Sequence, residues 1–261
     1  MEGQKFLSEY MQGYEDDYIL IGGNACALQF EEIGATFRAT EDLDIVLVTE
    51  STKPEFYAHL SGFLEKHKYD GKRFNGSNPG GSAYRFTLPV ALRGEGLPIQ
   101  IELFAKKPEY FDEAQSSKMH ITPIQTGDGI SNFSAILLDD DTYHFILSSR
   151  VVVKGITTVN LSCLLGLKSV AWHNNQTLKD AGENISEDTI FKHPADMMRI
   201  VSILEGGDVR YPSSIYDSLQ HSRELLLDED VRAKIQLNDG MDFELTREYI
   251  AEFVKQLNRH G

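Results

Sequence analysis

Two aspartates stand two positions apart at the start of an apolar run. Asp42 precedes and Asp44 interrupts the β-rich segment Leu43–Val48. Residues i and i+2 of a strand point to the same side, so the two carboxylates are expected on one face of a sheet. Two carboxylates at such a short distance repel each other. A cation between them offsets this repulsion, or the pKa of one of them rises so that it is protonated. Oxygen ligands of this kind suit Mg²⁺, which takes one or two carboxylates together with substrate phosphates. The alternative is a solvated strand end, since acidic residues are common in this chain.

A pair of glycines and a third carboxylate add to this pattern. Gly22 and Gly23 follow the apolar run Tyr18–Ile21 and open a helical segment, where backbone N–H groups favour phosphate and glycine lets it approach closely. Glu102 alternates with Ile101 and Leu103 in a predicted strand, so it faces away from them. A third carboxylate on a neighbouring strand would complete a two-metal site for phosphoryl displacement. Taken alone, the glycines are a tight turn and Glu102 is an exposed strand residue.

Five motifs in this order resemble the nucleotidyltransferase superfamily that includes DNA polymerase beta and the aminoglycoside nucleotidyltransferases. The closer similarity is to the AbiEii/AbiGii toxin family of bacterial type IV toxin–antitoxin systems, and it spans about residues 18–205. The motifs are Ile19–Ala25, Arg38–Asp44, Tyr84–Phe86 with Ile101–Phe104, Leu167–Trp172 and Lys192–Ile200.

The resemblance implies a set of roles. Asp42, Asp44 and Glu102 would be the catalytic residues and bind Mg²⁺, with Mn²⁺ as an alternative ion, and Glu102 would be the general base for an acceptor hydroxyl. The residues implied in nucleotide binding are Gly22, Gly23, Asn24, Arg38, Thr40, Lys168, Lys192 and Asp196. Lys192 and Asp196 lie four apart on one helix, which is equally typical of a surface ion pair. Lys168 is otherwise an exposed helix lysine. Tyr84 and Arg85 would line the acceptor or base side, and are otherwise packing residues.

The implied reaction moves a nucleoside monophosphate from an NTP to an acceptor hydroxyl on RNA (a tRNA end), a protein or a small molecule. A cognate antitoxin is a further candidate partner. Two alternatives stay open: a nucleotidyltransferase-fold module that binds nucleotides or partners without catalysis, and an aminoglycoside-type adenylyltransferase. The sequence departs from the family where Trp172–Asn175 replaces an arginine-rich pattern after Lys168, and where Gly23 replaces the serine of many superfamily members.

The excess of acidic residues limits the kinds of nucleic acid that this protein could bind. The 261 residues include 25 Lys and Arg against 40 Asp and Glu, a formal net charge of −15. This charge opposes a broad grip on nucleic acid, which needs many cationic phosphate contacts, while a tRNA end needs only a small footprint. One basic cluster, 66–73, contains Lys66, His67, Lys68, Lys72 and Arg73 and is a candidate for RNA backbone contacts.

The elements that must position these residues form an α/β half and a helical half. The expected class is α+β, a nucleotidyltransferase fold with a mixed sheet in residues 1–155 and a helical domain in 156–261. Strands are expected at Tyr18–Ile21, Leu43–Val48, Tyr84–Leu88, Pro98–Phe104, in two runs within His144–Val153, and at Ile156–Val159. Helices are expected at Lys5–Glu15, Asn24–Ile33, Pro54–His67, Leu161–Trp172, Glu187–Glu205, Ser213–Leu227 and Thr246–Leu257, with loop at Asp70–Gly81.

The remaining features favour a cytoplasmic protein. Cys26 and Cys163 lie in apolar surroundings and are expected to be reduced core residues. No apolar run approaches the ~20 residues of a membrane span, so no membrane partner is expected. The polar start, Met1–Tyr10, does not resemble a signal peptide.

Overall fold

The computed structural model describes residues 2–48, 54–73, 83–94, 96–107, 121–123, 134–204 and 209–239, together with 251 and 253. The chain divides into two compact units, Met1–Val159 and Asn160–Gly261. The fold is α+β with a mixed sheet in the first unit, as the sequence predicts. The predicted division after residue 155 moves to Val159, because the strand Ile156–Val159 joins the sheet.

The first unit contains four described helices and nine described strands. The helices are α1 (Glu2–Tyr10), α2 (Gly22–Glu32), α3 (Pro54–Lys66) and α4 (Asp140–Ser148). The strands are β1 (Tyr18–Ile21), β2 (Asp42–Leu47), β3 (Asp70–Arg73), β4 (Ala83–Thr87), β5 (Gln100–Lys106), β6 (Ile121–Pro123), β7 (Ser134–Leu138), β8 (Arg150–Val153) and β9 (Ile156–Val159).

The sheet places the two candidate strands side by side at its centre. Its strand order is β3-β4-β5-β2-β1-β9-β8, and β7 pairs with the end of β5 and with β6. Strand β2 runs antiparallel to β1 and parallel to β5. All four residues of β1 are buried, and so is the apolar end of β2, Ile45–Leu47. Burial on both faces explains why these segments form continuous apolar runs rather than alternating patterns.

Several predicted elements are confirmed with small shifts. Strand β1 has the predicted bounds, α2 and α3 end within a residue of theirs, and Gly34 adopts φ +72° just after α2, as a helix-ending glycine does. Lys154 (φ 50°) and Gly155 (φ 77°) form the two-residue turn of the β8–β9 hairpin. The first helix ends at Tyr10 rather than near position 15, and Gly13 (φ +90°) follows it in a turn.

The prediction of two β runs within His144–Val153 is wrong for its first half, which belongs to α4. The side chain of Asp139 accepts a hydrogen bond from the Thr142 N–H at 2.9 Å, so it caps the start of this helix. Asp140 and Asp141 then fill the first turn, where negative charge is favourable. The aromatic and β-branched residues favour a strand, but the three acids before them are the stronger signal.

Three further predictions have different outcomes. Of the loop predicted at Asp70–Gly81, the first four residues form β3 opposite β4, and residues 74–82 lie outside the described residues. Most of the helix predicted over 246–257 lies outside them as well. Cys26 and Cys163 are both completely buried, as the sequence predicts for core residues.

The second unit is helical. Its described helices are α5 (Leu161–Asp180), α6 (Glu187–Ile203), α7 (Ser213–Leu226) and α8 (Glu229–Asp239). Asn160 caps α5 by accepting from the Cys163 N–H at 2.9 Å, which begins the helix directly after β9. Helix α8 is an addition to the predicted elements. Among the described helices, none combines the length and the apolar character that crossing a membrane requires.

Helices α5 and α7 approach closely at Gly166. A Cβ on Gly166 would lie 2.6 Å from the Ile215 Cγ2 and 3.3 Å from the Tyr211 Cε1, so the packing leaves no room for a side chain. The Tyr211 hydroxyl donates to the Ser162 carbonyl at 3.2 Å. Burial raises the pKa of the Tyr211 phenol above its usual range, so the ring is a neutral part of this contact.

Candidate functional site

The sheet register brings the three predicted carboxylates onto one face. Asp44 pairs with Glu102 across the parallel β2–β5 ladder, and Asp42 pairs with Gln100 two residues earlier. Paired residues of neighbouring strands point to the same side, at the ~4.8 Å spacing of strands. Asp42, Asp44 and Glu102 therefore form one acidic patch, the name used below for these three residues. Leu43 and Ile101, which alternate with them, are completely buried.

The two predicted glycines lie directly against this patch. Gly22 has φ +73°, and a Cβ there would lie 2.8 Å from the Asp44 Cγ. A Cβ on Gly23 would lie 3.0 Å from the Cβ of Thr40. Both glycines are needed because the segment leading into β2 packs on the start of α2. The predicted glycine turn, Thr40 and Asp44 are thus parts of one local structure.

The start of α2 has features of an anion site. No side chain caps it, and its first turn contains no acidic residue. Uncapped N–H groups at a helix start carry partial positive charge and attract phosphate or carboxylate groups. This helix start follows β1, whose last residue, Ile21, pairs with Asp44. A helix start that could bind an anion and the acidic patch therefore adjoin each other.

Asn24 links the helix to the patch through its buried amide. Its Nδ2 donates to the Asp42 carbonyl oxygen at 2.7 Å. Its Oδ1 is buried and has no hydrogen-bond partner among the described residues. A buried oxygen without a donor is unfavourable, and an amide oxygen is also a ligand for hard cations. This atom fits a cation or a donor group bound beside Asp42.

Glu102 is the most buried member of the patch and already has a cationic neighbour. It is 9% exposed, and its Oε1 forms an ion pair with Nε of Arg85, its cross-strand partner on β4. The Gln100 Nε2 donates to the same oxygen at 3.0 Å. The sequence alone indicates Arg85 only as a packing or acceptor-side residue. The signal that could have found the pair is opposite charge on two neighbouring strands, once their register is known.

The donor set fits a divalent cation only in part. Asp42, Asp44 and the Asn24 amide supply oxygen atoms of the kind that Mg²⁺ takes. Across the described ranges, however, no three acidic, histidine or cysteine side chains converge into a group that could hold a metal ion. The register aligns the patch, but Glu102 is turned to Arg85. The residues therefore fit a cation at the Asp42–Asp44 end, and Glu102 does not fit as its third ligand in this arrangement.

Arg38 contacts residues next to it in the chain, and the described side chains of the basic cluster lie at the end of α3. The Arg38 guanidinium lies over the Phe37 ring, 5.7 Å from its centre, and Nη1 donates to the Ala39 carbonyl at 3.3 Å. Lys66 and Lys68 are exposed at the end of α3. The side chains at positions 72 and 73 lie outside the described residues. These contacts indicate that Arg38 stabilises the segment before β2.

In the second unit, Lys168 and Asp196 form a buried ion pair. The Lys168 Nζ lies 2.7 Å from the Asp196 Oδ2, and the two residues are 6% and 0% exposed. Arg199 Nη1 lies 3.5 Å from the other carboxylate oxygen. Lys168 is therefore not the exposed helix lysine that was the alternative to a phosphate contact. Asp196 is buried, so it is not half of a surface ion pair with Lys192. Asp196 is paired to a different helix, α5, and Lys192 is half-buried one turn before it.

Neither protein-family models nor curated protein sequences match this chain. The geometry of the site and the motifs that surround it are therefore what indicate its chemistry.

Replacing Gly22 by alanine tests the contact with Asp44. Gly34→Ala is the matched control: Gly34 has φ +72°, but a Cβ there would meet no atom within 4 Å, so this variant carries the backbone strain alone. Left-handed backbone costs roughly 1–2 kcal/mol for alanine, and crowding adds about 1–3 kcal/mol. We expect Gly22→Ala to lower the free energy of unfolding more than Gly34→Ala does in urea denaturation. Equal losses would show that Asp44 does not crowd Gly22.

Proposed function

We propose that this protein is a metal-dependent nucleotidyltransferase of the AbiEii/AbiGii type, with the nucleotidyltransferase fold in its first unit. The observation that carries the proposal is the position of Asp42 and Asp44 on one face of β2, beside a glycine helix start that contacts Asp44. Carboxylates for a cation and amides for phosphate thus occur together. Nucleotidyl transfer needs mainly such positioning and charge neutralisation.

The residues of the first unit have separate proposed roles in binding the cation and the phosphates. Asp42 and Asp44 would hold the divalent cation, which when bound neutralises charge on the triphosphate of the incoming NTP. Gly22 and Gly23 let phosphate oxygens reach the amides at the start of α2. Asn24 keeps that helix start joined to Asp42 through its 2.7 Å hydrogen bond.

The second unit contributes further candidates. Lys168 and Lys192 are proposed to contact phosphates, and Asp196 is proposed to orient Lys168, which it contacts at 2.7 Å. This assigns Asp196 to a different lysine from the one its spacing suggests. A lysine whose ammonium is fixed by a buried carboxylate keeps its charge in a dry environment.

The net charge of the chain restricts the class of acceptor. A net charge of −15 disfavours a long nucleic-acid track, which leaves an RNA end such as that of tRNA, a protein hydroxyl or a small molecule. An aminoglycoside-type adenylyltransferase shares this core chemistry and differs in the acceptor pocket.

The first experiment is a thermal shift assay with each NTP, with and without Mg²⁺, on wild type and Asp44→Asn. A ligand that binds only the folded state raises the unfolding midpoint by mass action. We expect a Mg²⁺-dependent rise in wild type that Asp44→Asn loses. Glu41→Gln is the matched control, because Glu41 is an exposed carboxylate next to the patch in the chain but outside β2.

The outcomes separate two classes of protein. A shift that survives in Asp44→Asn would place the nucleotide elsewhere and contradict the proposal. A shift lost in Asp44→Asn but without transfer to any acceptor would favour a nucleotide-binding module that does not catalyse.

A further inference from the structure

Two carboxylates and a guanidinium lie in one row across the neighbouring strands β2, β5 and β4. Glu102 on β5 pairs with Asp44 on β2 and with Arg85 on β4. Because cross-strand partners point to the same face, Asp44, Glu102 and Arg85 lie side by side across the sheet. Arg85 is therefore part of the face that carries the acidic patch.

The charged neighbour that Glu102 contacts is Arg85. Its side chain is 11% exposed and in ion contact with Arg85, whose side chain is 31% exposed. Gln100 donates to the same Oε1 at 3.0 Å. A carboxylate as buried as this is stable only when it is paired and hydrogen-bonded, and Arg85 and Gln100 supply both. Glu102 is accounted for without a metal ion.

The charges of the acidic patch and Arg85 together match one divalent cation. Asp42, Asp44 and Glu102 carry three negative charges and Arg85 carries one positive charge, so these four side chains have a formal charge of minus two. Arginine stays charged at every physiological pH, and its planar fork of five N–H donors suits phosphate oxygens. The Arg85 Nε is buried against Glu102 while the side chain as a whole is 31% exposed, so the terminal Nη donors are the part of the fork nearer to solvent.

We propose that this face uses a single divalent cation, at Asp42 and Asp44, and that Arg85 supplies the second positive charge and contacts the triphosphate. Glu102 is then a positioning residue that orients Arg85, rather than a metal ligand. The inference rests on the proposed function, since it names the groups that would meet the nucleotide there. It replaces the metal-binding role that the resemblance implies for Glu102.

The test counts ions and measures nucleotide affinity separately. Mn²⁺ binding is followed by electron paramagnetic resonance and calorimetry, with a nucleoside triphosphate whose α–β bridge cannot be cleaved. We expect wild type to bind one ion. Arg85→Gln uncovers the Glu102 carboxylate, so it should bind Mn²⁺ more tightly, by about threefold or more, because carboxylate charge sets cation affinity. The same variant should bind the nucleotide about tenfold more weakly, since a charge-assisted fork to phosphate is lost.

The double variant Arg85→Gln/Glu102→Gln removes a neutral pair and keeps two polar side chains. We expect its Mn²⁺ affinity to stay close to that of wild type, whereas Asp44→Asn loses about tenfold or more with a ligand charge. Arg85→Lys keeps the charge without the fork, so it should bind one ion and bind nucleotide more weakly. Its smaller disturbance keeps the test valid if the double variant does not fold.

The possible results distinguish a failure of this inference from a failure of the proposed function. Two ions in wild type, or a double variant as weak as Asp44→Asn, would show that Glu102 is a metal ligand and overturn the inference alone. Absence of any Mn²⁺ or nucleotide binding in wild type would overturn both proposals.

Discussion

If the proposed function holds, Asp44→Asn is expected to reduce nucleotidyl transfer by on the order of 10³-fold while leaving the fold intact, because one charge of the proposed cation site is lost. The substitution keeps the shape of the side chain that lies against Gly22 and removes only its charge. Asp44 sits between Asp42, two residues away on β2, and Glu102, its cross-strand partner. Since like charges at this spacing repel, the unfolding free energy should stay the same or rise slightly.

The measurement is incorporation of a labelled nucleoside monophosphate into candidate acceptors, tRNA first, together with urea unfolding of the same preparations. Asp42→Asn should behave in the same direction. Glu41→Gln should retain activity, because Glu41 is exposed and lies outside β2 and the acidic patch. Full transfer by either aspartate variant would contradict a cation site at these residues.

The local parts of this site are predictable from sequence. Strand β1 and the glycines at the start of α2 are contiguous, so a buried apolar run followed by Gly22 and Gly23 indicates both elements. Asp42 and Asp44 share a face because the strand period is two, whatever surrounds them. In these cases local spacing determines the geometry.

Pairings between distant segments are not predictable in the same way. The β2–β5 register decides that Asp44, and not Asp42, faces Glu102, and it brings Arg85 to the same carboxylate. Shifting a strand by one residue would reverse its faces, and a single sequence carries little information on that choice. The i, i+4 spacing of Lys192 and Asp196 suggests a pair within α6, but tertiary packing gives Asp196 a partner on α5.

That buried pair is expected to dominate the stability of the second unit. Removing one partner of a buried ion pair typically costs about 3–5 kcal/mol, because the other charge is left uncompensated in a dry environment. Asp196→Asn should show this loss in full, since it leaves the Lys168 ammonium buried without its carboxylate. Lys168→Met should lose less, because Arg199 lies 3.5 Å from Asp196 and still offsets its charge. Urea unfolding of each variant measures both effects.

The double variant Lys168→Met/Asp196→Leu separates structure from ligand binding. Apolar residues of similar volume often replace a buried pair without loss of stability, so we expect the double variant to recover most of the loss. If Lys168 contacts phosphate, as proposed, the double variant should fold well and still bind NTP weakly. Recovery of both properties would make the pair purely structural. Lys192→Met is the control: its side chain is half-buried and outside the ion pair, so its effect on stability should stay within about 0.5 kcal/mol.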